Sequence, residues 1–241
     1  MLRQGSIVVL LVLALSAAAL ATDLQSVSAD PRSTAPQVNS ALAYQRQTQF
    51  FKAKLQQNPQ DPVAHNMLGI CYQGLRRVDD AIKEYKKATG INPSYAEAWN
   101  NMGSAYHLKR KLKDAAKYYR KAIELKPELA SAHRNLGTAL LSMGKVDQGL
   151  AAYRRAYELN ADAFKVTASS IPVEHNDGGM QYFCFAKISA ASGQIEAALD
   201  FLHRARTLGF RDFRKVEKDP DFAKVVTAER YESLKEGLLQ R

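Results

Sequence analysis

The sequence predicts an all-α fold, a solenoid of stacked helical hairpins, and three observations carry that expectation. Gly69, Gly103 and Gly137 recur at a spacing of 34 residues, in register with Tyr85, Tyr119 and Tyr153, with Ala88, Ala122 and Ala156, and with Pro59, Pro93 and Pro127. Within one period, Leu112, Ala115, Ala116, Tyr119, Ala122 and Ile123 fall at helical spacing and make one apolar stripe. Asn92-Pro93 and Lys126-Pro127 then end helices, because proline disfavours helix in the residue before it and donates no backbone hydrogen bond.

Taken in order, residues 1–21 read as a secretory signal: Arg3 supplies the positive start, Ile7 to Leu15 an apolar run, and Ala19-Leu20-Ala21 a small-x-small cleavage pattern. The chain is therefore expected to be exported, periplasmic or secreted, with no transmembrane anchor left after cleavage. Residues 22–36 are polar and aperiodic, which predicts a flexible leader. Over 37–57, Val38, Leu42, Phe51 and Leu55 share a helical stripe, giving an N-terminal capping helix. Repeats follow at 62–95, 96–129 and 130–163; residues 164–178 form an insertion; and 179–212 carry a degenerate fourth repeat through Tyr182, Phe185, Ala186, Gly193, Ala198, Leu202 and Ala205. In the last segment, 213–241, Asp219-Pro220 looks like a helix start, and Tyr231, Leu234 and Leu238 are expected to close the open end as a helical cap.

Each period contains two helices. Gly103 and Ala115 remove bulk where the pair crosses, so that Tyr106 and Tyr119 can fill the gaps between successive units. Because each pair leaves an apolar face open until its neighbour stacks on it, the units are expected to share one continuous buried seam.

The second unit, with Trp99, Met102, Gly103, Tyr106, Ala115, Tyr119, Ala122 and Pro127, resembles the tetratricopeptide repeat family. The first unit reads His65, Leu68, Gly69, Tyr72, Ala81, Tyr85, Ala88, Pro93, and the third His133, Leu136, Gly137, Leu140, Gly149, Tyr153, Ala156. His65 and His133 thus take the structural position of Trp99. The resemblance implies a right-handed α-solenoid whose first helices line a concave groove, and a non-catalytic scaffold that holds a peptide or protein segment there. The degenerate last repeat and the tail resemble exported bacterial members, which suggests a place in a cell-envelope assembly. On this reading the groove residues are Asn66, Met67 and Ile70 of the first unit, Asn100, Asn101, Ser104 and His107 of the second, and Arg134, Asn135 and Thr138 of the third. Amides suit recognition of a peptide backbone because they both donate and accept. Leu141, Met180, Phe183, Cys184 and Lys187 continue the same face. Family members that clamp a carboxylate place Lys and Asn in the first unit, Asn in the second, and Lys and Arg in the third; of that set only Asn101 is matched, with Asn66, Ile70, Ser131 and Asn135 at the other positions, so a carboxylate clamp is not expected.

Composition narrows the remaining choices. With 46% hydrophobic and 24% charged residues, the 241-residue chain is neither a disordered tail nor a many-helix membrane protein. The net charge of +10 favours anionic partners. Its sharpest expression is Lys113, Lys117 and Lys121, four residues apart in a unit with eight basic and four acidic side chains; they are a candidate site for an anionic envelope polymer or lipid. Nucleic acid is not expected, since no aromatic interleaves with these lysines. Cys71 and Cys184 lie three repeats apart, too far for a disulfide; Cys71 is expected to be buried and Cys184 accessible. The five histidines show no metal-ligand spacing, and neither a metal nor a cofactor is expected. Ser169, Ser170, Glu174, His175 and Asp177 hold the letters of a hydrolase triad but lack a nucleophile elbow, so an enzyme working through the insertion is the last reading in order.

Overall fold

Asp61 and Pro62 start the first hairpin. Asp61 is extended, with φ −87° and ψ 104°, and its carboxylate accepts the Ala64 N–H at 2.9 Å. Pro62 opens the helix at a position where no N–H is needed. A computed structural model describes residues 35–161 and 178–236, with side chains from residue 40 onward. It holds α1 (Ala35–Gln57), α2 (Pro62–Gly74), α3 (Val78–Ile91), α4 (Ala96–Leu108), α5 (Leu112–Leu125), α6 (Ala130–Ser142) and α7 (Val146–Leu159). After these come α8 (Gly178–Ala191), α9 (Ile195–Thr207), α10 (Phe213–Lys218), a 3-10 turn (Pro220–Phe222) and α11 (Glu229–Glu236). Among the described residues there is no β-strand. Met1–Ala43 and Tyr44–Arg241 are separate compact units. Of the first, residues 35–43 are described and helical; the packing below is that of the second. The signal, most of the leader, the insertion apart from Gly178, and Leu238 lie outside the described residues.

Four hairpins, α2–α3, α4–α5, α6–α7 and α8–α9, make the all-α solenoid. In three of them a glycine of the first helix lies under a tyrosine ring of the second. A Cβ added at Gly69, Gly103 or Gly137 would come within 2.5, 2.7 or 2.8 Å of the rings of Tyr85, Tyr119 and Tyr153. The Gly and Tyr ladders of the sequence are therefore one contact repeated three times. In the fourth hairpin Ala186 and Leu202 occupy the two positions, both fully buried. A methyl has been gained on one helix where an aromatic ring has been lost on the other.

The turn inside each hairpin needs one left-handed residue. Arg76 and Arg110 fill it with φ 59°, and Gly144 and Gly193 with φ 75° and 74°. The residue after it donates its N–H back into the last turn of the first helix, Arg77 to Tyr72 at 2.8 Å and Lys111 to Tyr106 at 3.0 Å, which satisfies carbonyls the helix leaves open.

Buried apolar side chains form three clusters rather than the one unbroken seam expected. Leu68, Tyr72, Ile82, Tyr85 and Met102 join the first hairpin to the second; Ala116, Tyr119, Leu136 and Leu140 join the second to the third. The half-buried Tyr106 packs against both. The third and largest cluster runs from Tyr153 through Phe185 and Leu202 to Phe222 and Leu234. The stack interrupts itself because alanines, which bring the helices close, supply little side chain to bridge from one cluster to the next.

Both ends are closed. Thr48, Phe51 and Leu55 of α1 face the first hairpin, the Cys71 thiol donates to Gln47 Oε1 at 3.6 Å, and the Tyr44 ring covers Gly74. At the other end Gly209, with φ 97°, stops α9 and turns the chain back. Phe210 stacks on Phe183 with centroids 4.7 Å apart, and Phe213, Val216, Phe222, Val225, Tyr231 and Leu234 are buried with them. Asp219 caps the 3-10 turn by accepting the Asp221 N–H at 3.1 Å. No described helix is long and apolar enough to cross a membrane.

Candidate functional site

The first helices of neighbouring hairpins, α2 with α4, α4 with α6 and α6 with α8, approach each other more closely than the second helices do. Within Tyr44–Arg241 the stack therefore curves toward the first helices, and their outward sides make one inner face. Two amide pairs set its register. Asn101 Nδ2 donates to Asn66 Oδ1 at 3.0 Å, and Asn135 Nδ2 donates to Asn100 Oδ1 at 3.0 Å. Both pairs are 35 residues apart, one repeat plus one residue. Side branches tie this ladder to the hairpins: Asn66 Nδ2 donates to the Tyr95 hydroxyl at 3.3 Å, and the Tyr119 hydroxyl donates to Ser104 Oγ at 3.3 Å. The Thr138 and Tyr153 hydroxyls are 2.9 Å apart.

This changes the role of two expected groove residues. Asn66 and Asn100 are only 3% and 7% exposed, and their amides are engaged between repeats, so they hold the face together instead of presenting groups to a ligand. Burial of an amide costs little once its bonds are made inside, and these are. Met67, Ile70, Asn101, Ser104, His107, Arg134, Asn135 and Thr138 are half-buried, each with part of its surface open. Val63 and Leu108 are more open, 49% and 44% exposed. Leu141, Phe183 and Cys184, also expected on this face, are buried in the core.

Cys184 is the clearest correction. It stands where Asn101 and Asn135 stand in their repeats, so the amide ladder has no partner for a third step, and it is 1% exposed, not accessible. Burial pushes its thiol up to about 12, and burial raises the Cys71 thiol too. Both remain protonated near neutral pH and are poor nucleophiles. Both are free thiols.

Lys113 and Lys117 project from the exposed side of α5 and have no ion-pair partner among the described residues, whereas Lys121 Nζ reaches Glu124 Oε1 at 2.8 Å. Among the described residues no group of His, Cys, Asp and Glu is placed to hold a metal ion. Ser169, Ser170, Glu174, His175 and Asp177 lie outside the described residues.

A feature the sequence did not single out is a cavity of about 940 Å³ between α7, α8 and the C-terminal cap. Val146, Leu150, Met180 and Phe183 line it beside Lys187 and the cap residues Asp212, Lys218 and Asp219. Lys187 pairs with Asp219 and lies 3.4 Å from Asp221 Oδ2. Burial alone would lower its ammonium, but the two carboxylates outweigh that and hold it above its ordinary value. The only legible signal was Asp219-Pro220, whose partner lies 32 residues away.

These features define an α-solenoid of helical hairpins with a ladder-stitched inner face. Models of the tetratricopeptide repeat match residues 96–129 and 130–162, and a further TPR repeat model matches 77–110. No curated protein is similar enough to the chain to match it. Among solved structures, a thermophilic TPR protein of Thermus thermophilus is 22% identical with TM-score 0.50, covering 82% of this chain and 93% of its own. MamA is 22% identical with TM-score 0.48, over 67% of this chain and 85% of that one. The first TPR of Spaghetti (RPAP3), bound to an HSP90 peptide, is 24% identical with TM-score 0.43, over 44% of this chain and 84% of that one. At these identities the likeness concerns the fold.

Proposed function

We propose that this chain is a non-catalytic scaffold that holds a peptide or protein segment against the inner face of its repeats, as part of an assembly in the cell envelope. The observation that carries the reading is the continuous face of α2, α4 and α6, stitched by Asn66–Asn101 and Asn100–Asn135, with Met67, Ile70, Ser104, His107, Arg134 and Thr138 partly open along it. A surface held rigid before binding loses little entropy when a ligand arrives. The repeat family supports a scaffold over an enzyme. The signal-like residues 1–21 support export, and a processed N-terminus at Thr22 in the exported fraction is the expected measurement. For the face itself, Met67→Arg with Ile70→Ala and Arg134→Ala should abolish capture of the native partner while leaving the helical spectrum unchanged. Undiminished capture overturns the reading. Asn66, Asn100, Asn101 and Asn135 are left intact because their loss would loosen the stack.

A second reading rests on Lys113 and Lys117, exposed and without ion-pair partners among the described residues. They would dock the chain on an anionic envelope polymer or lipid. Such binding falls steeply with salt and with Lys113→Glu and Lys117→Glu; insensitivity to both removes it.

A further inference from the structure

Charge is divided between the two sets of helices. The four first helices carry three Asp, Glu, Lys or Arg side chains, Glu97, Arg134 and Lys187, while the four second helices carry twenty. Two of the three are neutralised in place: Glu97 Oε1 is 2.8 Å from Lys126 Nζ, and Lys187 pairs with Asp219. Arg134, half-buried with its Nε enclosed, is the one charge the face keeps. The inner face is thus nearly without charge in a chain of net charge +10. It is not a bare apolar surface either. Val63, Met67 and Ile70 form one stripe on α2, three and four residues apart; Leu108 lies open at the end of α4; and between them run the hydroxyls and amides of Ser104, Asn101, Asn135 and Thr138.

From this division we infer that the partner is an uncharged peptide segment, held by apolar side chains on the Val63–Met67–Ile70 stripe and by its backbone on the Asn101, Asn135 and Thr138 groups. The inference deepens the scaffold reading and rests on it. Away from Arg134, a charged side chain laid on this face would give up its water without meeting an opposite charge, an uncompensated loss. An apolar side chain releases water from both surfaces, and the peptide N–H and C=O groups find the amides and hydroxyls that the ladder leaves half open. The exposed cations of the second helices add a selection of another kind: an acidic segment would be drawn to the outer surface, away from the groove.

The test is selection from a displayed library of random twelve-residue peptides on the full chain, with the Val63→Lys variant in parallel. Val63 is half exposed, so the change spares the core, and Leu108→Lys is a second variant of the same kind. The expected pool is depleted of Asp, Glu, Lys and Arg and rich in apolar residues. Its members should bind with affinity that changes less than twofold between low and high salt, and at least tenfold more weakly to either variant. A pool dominated by acidic or basic peptides whose binding either variant still alters overturns the chemistry and leaves the groove standing. Acidic peptides indifferent to both variants but weakened by Lys113→Glu place binding on the outer surface and overturn the inference. No enriched peptide at all overturns the inference together with the scaffold reading.

Discussion

His65 Nδ1 lies 2.6 Å from Glu84 Oε2, and the other nitrogen of the same ring faces the Pro59 carbonyl at 3.0 Å. One repeat later the two positions hold Trp99 and Tyr118, stacked with centroids 5.9 Å apart, and the indole N–H donates to the Pro93 carbonyl at 2.8 Å. In the third repeat His133 Nε2 reaches the Pro127 carbonyl at 2.9 Å, and Ala152 stands in the Glu84 position. The ring-to-proline bond is common to all three; what the ring packs against is chosen repeat by repeat. His65→Phe removes both bonds and leaves the buried Glu84 with Lys87 alone, at an expected cost of about 2–4 kcal/mol. His133→Phe loses one neutral bond and should cost about 1 kcal/mol. Combining His65→Trp with Glu84→Tyr should cost at least about 1 kcal/mol less than the single changes summed, as urea denaturation can measure. Additive costs would show that the two positions do not act as a pair.

The Gly103–Tyr119 contact gives a second coupled prediction. Gly103→Ala places a methyl 2.7 Å from the ring and 3.2 Å from the Ala115 carbonyl, and overpacking of this kind costs about 1–3 kcal/mol. Adding Tyr119→Leu copies the Ala186 and Leu202 arrangement of the fourth hairpin and should recover part of the loss. A double variant less stable than Gly103→Ala alone refutes the compensation.

Arg76 and Arg110 hold left-handed backbone where the later hairpins use Gly144 and Gly193. That conformation costs a non-glycine residue about 1–2 kcal/mol, partly offset by the greater entropy a glycine loses on folding. Arg76→Gly and Arg110→Gly should each raise stability by several tenths to about 1 kcal/mol in thermal unfolding. A fall in melting temperature in both would mean that contacts of the arginine side chains outweigh the backbone strain.

Asp61 makes stability depend on pH. The Ala64 N–H and the Lys54 ammonium, 2.9 Å away, hold its carboxyl below the usual value of 3.8. A folded value below the unfolded one means a contribution fully present above the unfolded value and lost as pH falls through the folded one. Asp61→Ala should therefore cost about 1 kcal/mol at neutral pH and progressively less as pH drops below the ordinary carboxylate range, while Asp61→Asn, which still caps, costs less throughout. A cost for Asp61→Ala that does not change with pH removes the carboxylate from the account.

The hairpins, their stacking order and the apolar anchors were legible because each is written within a few turns of chain. A glycine opposite a tyrosine sixteen residues on, or a ring six residues after a proline, depends only on how one helix pair closes, and the recurrence of the pattern made it unmistakable. The amide ladder joins residues 35 apart, and that extra residue is set by how one hairpin rotates on the next, which no single repeat encodes. Asn66, Asn100 and Asn101 therefore looked alike in sequence, although packing encloses the first two and leaves the third half open. Cys184 is buried and Lys187 half-buried beside cap residues that fold back from beyond Gly209, and only that long-range closure could decide how far their side chains meet water or protein.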